Sequence, residues 1–139
     1  MHDNVTRGFQ AAAAFNLVGM GVFSKGLTNT VLFETDPEMF SRPGCLLVMV
    51  WGLAYLALAR TWRASPAVAA VFAVEKLVYV AWWGAWMARH AGDLPAVLER
   101  DLLAGVFYAA YGLGDAAFMV FFAWAALRAR AAVGAAQSG

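Results

Sequence analysis

Cysteine and histidine are nearly missing from this chain: one cysteine, Cys45, and two histidines, His2 and His90, in 139 residues. A lone cysteine excludes an intrachain disulfide and any cysteine-based metal site, and reads as a small apolar helix residue. His90 stands at a helix end beside Arg89 and His2 at the chain start, so neither is placed to ligate haem or a buried metal, and no metal or cofactor is expected. Charged residues are scarce too, at 14% of the chain with a net charge of +1. Without a basic run or stacking platform there is no footprint for nucleic acid. No nucleophile–base pair, phosphate loop or metal cluster argues for hydrolysis, kinase or redox chemistry.

What remains is apolar: 63% of residues are hydrophobic, far above an ordinary soluble domain. Looking for about twenty apolar residues between turn signals gives four spans, at about 8–33, 44–60, 65–89 and 102–127. The expected fold is all-α: an integral membrane four-helix bundle forming one domain over 1–139, with a disordered Ala/Gly-rich tail at about 131–139. Arg7, Arg60, Arg63, Arg128 and Arg130 fall on one side, and Arg42, Arg89 and Arg100 on the other. The first set is expected to be cytoplasmic, which puts both termini inside a multi-pass protein of the bacterial inner membrane. Asp36 with Pro37, and the loop from Asp93 to Asp101, read as short interfacial helices, turning Met39 and Phe40, or Val97 and Leu98, toward lipid.

The charges that break the apolar runs carry the most information. A charge at the centre of a membrane helix costs about 2.5–3.5 kcal/mol on insertion scales, so several kept together indicate an interior polar site. At 1.5 Å rise per residue, Glu75 and Lys76 lie roughly 14 Å in and Asp115 roughly 12 Å in, with Tyr55 near that level and Asn16 a little below. Neighbouring residues point about 100° apart on a helix, so Glu75 and Lys76 need separate partners. Pairing Lys76 with Asp115 leaves Glu75 to find Asn16, Tyr55, Lys25 or a proton, which makes it the candidate proton-exchanging group. Lys25 has a stem long enough to reach outward toward Glu34 or Asp36.

Glu75, Tyr79, Trp82 and Trp86 follow helical spacing, as do Tyr108, Tyr111, Asp115, Phe118 and Met119, so two aromatic walls can flank the buried carboxyls. Such walls suit an apolar or cationic small ligand; they serve equally as interhelix packing, as the buried charges serve to hold a bundle together. Trp62 and Trp124 on the inner side, with Trp82, Trp83 and Trp86 on the outer, are expected as interfacial anchors. Gly19 with Gly26 and Ala12, Gly52 with Ala54, and Gly105 with Gly112 are expected on close-packing faces.

FNLVGMGVF in the first span, MVWGLAYLALAR in the second and VFAVEKLVYVAWW in the third resemble a group of small bacterial four-span membrane proteins whose function is not established. The resemblance implies an asparagine on helix one, a Gly-x-x-Tyr stretch on helix two and a lysine amid helix three. Asn16, Gly52 with Tyr55, and Lys76 match it, and Glu75 lies outside it.

Three functions follow as expectations. The first is a protein that binds or carries a small apolar or cationic ligand, proton-coupled through Glu75, at a midplane site of Asn16, Tyr55, Glu75, Lys76, Tyr79, Tyr111 and Asp115. The second is an accessory subunit of a larger membrane complex. The third is an intramembrane isomerase in which paired carboxyls shuttle a proton. The expected partners are the lipid bilayer, a small amphiphile, and other copies or subunits in the membrane.

Overall fold

Asp3 opens the first helix by accepting the backbone N–H of Thr6 at 2.7 Å, as a capping aspartate does. The structure is a computed structural model that describes residues 3–139, and among them there is no strand. From the cap, α1 (Asn4–Ala14) passes through a π-helical turn (Phe15–Gly19) into α2 (Met20–Phe23). The helix expected at 8–33 therefore begins earlier and stops at Phe23. Lys25, Gly26 and Leu27 all take left-handed backbone angles, with φ of 51°, 66° and 67°, and reverse the chain. Only the glycine does so without steric cost. The reversal is held by Gly26 N–H donating to Gly21 O at 2.8 Å and by Asn29 N–H donating to Ser24 O at 2.9 Å.

Asn29 then caps α3 (Thr30–Thr35), which is followed by α4 (Pro37–Phe40). Ser41 caps α5 (Arg42–Leu58), with Pro43 in its first turn, where a missing N–H costs nothing. After a 3-10 turn (Trp62–Ala64), Ser65 and Pro66 open α6 (Pro66–His90). A second 3-10 turn (Ala91–Asp93) and α7 (Leu94–Arg100) lead to Asp101, whose carboxylate accepts the Ala104 N–H at 2.8 Å and starts α8 (Leu102–Gln137). The segment expected to be a disordered tail is the last part of α8 as far as Gln137. Its alanines have the highest helix propensity, which outweighs the single Gly134.

α6 and α8 pack along much of their length and form the spine of the bundle. Two cores lie along it. One, at the Asp3 end, gathers Phe9, Tyr55, Phe72 and Phe122; the other, at the loop end, gathers Met20, Leu32, Phe40 and Tyr108. Several side chains expected at the lipid boundary are in these cores instead. Phe40 is 1% exposed and Val97 is buried, because α4 and α7 fold over the bundle rather than lying flat on a surface. Trp62 is buried, and Trp86 stacks on Tyr108 with ring centroids 5.0 Å apart; Trp124 stays outside.

Glycines mark the closest approaches. A Cβ on Gly52 would lie 3.0 Å from the Asn16 Cβ and 3.2 Å from the Ala13 carbonyl, so α5 meets the first helix backbone to backbone. The face expected to join Gly19, Gly26 and Ala12 does not form. Gly26 sits in the left-handed turn, and a Cβ on Gly19 would touch nothing within 4 Å.

Candidate functional site

A π-helical turn holds one residue more than an α-turn and so re-aims the side chains around it. Here it turns Asn16 inward, 2% exposed. The Asn16 amide donates from Nδ2 to the Val48 carbonyl at 2.9 Å, across the gap that Gly52 leaves open, and this fixes Oδ1 toward α6. Lys76 Nζ donates to that Oδ1 at 3.0 Å and to Asp115 Oδ1 at 2.6 Å. The lysine also lies 5.6 Å from the ring centre of Phe15 and 5.3 Å from that of Tyr55, so its charge is met by two π-faces as well as a carboxylate. The pair is sealed, with side-chain exposures of 2% and 7%.

Glu75 diverges from Lys76 as adjacent helical residues must. The Tyr55 hydroxyl donates to Glu75 Oε2. Glu75 Oε1 is buried and has no hydrogen-bond partner, and the same is true of the Tyr111 hydroxyl. Unmet polar atoms at this depth are costly, and Trp62 Nε1 at the Asp3 end is a third. Glu75 and Tyr111 line a cavity of about 180 Å³, with Asn16, Lys76, Tyr79 and Asp115 also in its wall. A cavity of about 150 Å³ is enough to take up benzene. Its exposed rim, formed by Phe15, Val106 and Ala110, opens sideways between the π-helical turn and α8.

All seven residues singled out from the sequence lie in this one cluster, and six of them line the cavity. Tyr55 is the exception: it stands behind Glu75 and braces it. The aromatic wall differs from the expected one. Trp82 turns away to donate its indole N–H to Asp36 at 2.8 Å, and Trp86 is spent on Tyr108. Phe40 and Phe107 take their place beside Tyr79 and Tyr111. Phe107 falls four residues before Tyr111 on α8, a spacing visible in the sequence; Phe40 arrives from a folded-back loop, and no periodicity points to it. Lys25 pairs with Asp101 at the loop end rather than with Glu34 or Asp36, and Glu34 is taken by Arg100 at 2.8 Å. Among the described residues no group of three or more His, Cys, Asp or Glu side chains is arranged to hold a metal ion.

No family model, curated protein or solved structure matches the chain.

Proposed function

We propose that the chain is a four-span membrane protein that binds or carries a small apolar or cationic molecule in the cavity beside Glu75. The spans are the helix from Asn4 to Phe23, α5, α6 and α8, with both termini on the arginine-rich, cytoplasmic side. Support for immersion comes from the outward faces. Two segments, Pro66–Arg100 and Leu102–Gln137, are long and apolar enough to cross a bilayer, and only 22% and 33% of their most apolar windows is buried. A soluble core helix would hide most of that surface. Leu46, Val50 and Leu53 on α5, Val71, Val74 and Val78 on α6, and Leu113, Val120 and Leu127 on α8 are all exposed. Apolar surface this extensive is a liability in water and ordinary in lipid.

The ligand reading rests on one observation: Glu75 and Tyr111, each with a buried polar atom that has no partner, line a cavity whose open surface is mainly apolar.

Native mass spectrometry of the protein released from membranes in mild detergent tests the reading. A retained small molecule, lost in Gly19→Leu, is the expected result. Gly19 lines the cavity in a right-handed helical conformation with free space at its Cβ position, so leucine there fills the cavity without strain. An empty wild type that instead co-purifies with a larger enzyme would favour the accessory-subunit role.

A further inference from the structure

We propose that the cavity takes a small lipophilic ammonium ion from the bilayer, its N–H donating to Glu75 Oε1, in exchange for a proton. This deepens the ligand reading above and rests on it. Charge counting leads to it. When all three are ionised, Glu75, Lys76 and Asp115 sum to one negative charge, and Lys25, the next cation along the fold, is committed to Asp101. An uncompensated charge in a low-dielectric interior is strongly disfavoured, so the cluster needs one more positive charge. A proton supplies it in the empty site and a monocation in the filled one. The exchange balances: the bound proton leaves to water as the ammonium ion enters, with no covalent bond made or broken between heavy atoms.

The chemistry of the wall selects the kind of cation. An ionised carboxylate only accepts hydrogen bonds, so Oε1 calls for an N–H donor, and the free Tyr111 hydroxyl can take a second N–H. Phe40, Tyr79, Phe107 and Tyr111 make the wall aromatic, and aromatic rings attract ammonium ions. The exposed rim at Phe15, Val106 and Ala110 gives an apolar tail an exit between the π-helical turn and α8. Glu75 is faced by Tyr55 from α5, by Lys76 and Tyr79 on its own helix, by Tyr111 and Asp115 from α8, and by the neutral Asn16 from the π-helical turn. Lys76 is held by Asp115 and Asn16, and so is not free to neutralise Glu75 when the ligand leaves.

Ligand-observed NMR on the detergent-solubilised protein, using phenethylammonium and its neutral isostere propylbenzene, tests this. A charge-assisted hydrogen bond gives the cation an advantage of about tenfold or more. Glu75→Gln keeps the shape and removes the charge, so it should erase that advantage while propylbenzene binds as before. Proton release in weakly buffered solution should accompany phenethylammonium binding to the wild type and vanish in Glu75→Gln. Equal binding of the two probes to the wild type would overturn the cation proposal and leave the ligand cavity standing. Selective binding without proton release would overturn the exchange. If neither probe binds, the cavity reading fails with it. Should Glu75→Gln not fold, the wild-type pair of probes and the proton count still decide.

Discussion

Toward the Asp3 end, Phe9, Tyr55, Phe72 and Phe122 meet with ring centroids 4.8–6.4 Å apart and do not line the space of about 340 Å³ that Val5, Trp62 and Arg128 border beyond them. Toward the loop end, Phe40, Phe107, Tyr108 and Tyr111 meet just as closely, at 4.8–6.3 Å, yet Phe40, Phe107 and Tyr111 border a cavity. Aromatic packing is therefore not what separates the halves. The difference lies where the first helix passes α8. Below the charged layer Phe121 covers Gly8, so a large residue fills the gap that a small one leaves, and at the layer itself Phe15 covers Gly114 beside the cavity rim. Above the layer Gly19 faces Ala110 across open space, and the first helix ends at Phe23 before another turn could close it. The layer of Asn16, Tyr55, Glu75, Lys76 and Asp115 is shared by both halves; Lys76 and Asp115 are satisfied there, and Glu75 is satisfied on one oxygen only.

The largest effect is expected at the layer itself. Lys76→Met leaves Asp115 buried without a cation, a loss of about 3–5 kcal/mol, whereas Lys76→Met with Asp115→Leu should recover most of it. Thermal unfolding in detergent measures both; a single variant as stable as the wild type would show that the ion pair does not hold the helices. Next comes a matched pair of truncations. Phe122→Ala, in the filled half, should cost about 3–5 kcal/mol, and Phe107→Ala, whose ring already borders open space, less than that. Equal losses would mean that the two halves are packed alike.

A finer comparison uses one substitution at two places on the first helix. Gly8→Ala drives a Cβ to 2.3 Å from the Phe121 ring, itself packed on Phe9 and Phe122, and should cost about 1 kcal/mol. Gly19→Ala meets nothing and should gain up to about 1 kcal/mol from helix propensity. The same sign at both positions would contradict the assignment of filled and open halves.

The smallest effect lies in the loop that closes the cavity end. Lys25 donates to Asp101, and this bond first, with the Ala104 N–H and Asn29 amide after it, holds the Asp101 carboxyl down at about 2, against an ordinary value near 3.8. A carboxyl with a depressed folded value adds stability that is complete above its unfolded value and is lost as pH falls through the folded one. The thermal midpoint should therefore drop between about pH 4 and pH 2, and Asp101→Asn should flatten that part of the profile. An identical drop in the variant would assign it to other carboxyls.

Much of the site was legible in the sequence because helices have a fixed rise, and polar residues within apolar helices have a strong reason to align. Counting depth was enough to bring Asn16, Tyr55, Glu75, Lys76 and Asp115 to one level and to suggest that Lys76 meets Asp115. Other features gave no readable signal. A π-helical turn leaves no mark in hydrophobic periodicity, so the exposure of Phe15 could not be read. The end of the first helix was missed because Val31, Leu32 and Phe33 continue an apolar run, while the chain reverses at Lys25, Gly26 and Leu27. Burial of Phe40, Val97 and Trp86 depends on loops folding back over the bundle, a tertiary fact that local amphipathicity does not contain. Alanine richness after Arg130 pointed two ways, and helix propensity prevailed.

On the membrane reading proposed above, the open side of the charged layer faces lipid. A nitroxide placed at Ala110, on the rim, and another at Ala135, near the end of α8, test it in bilayers, with the buried Cys45 left unlabelled. Collision rates with molecular oxygen and with a water-soluble nickel chelate are compared by electron paramagnetic resonance. With the rim in lipid, the label at 110 is relaxed by oxygen and untouched by the chelate, and the label at 135 shows the reverse; chelate access at 110 equal to that at 135 would place the rim in water.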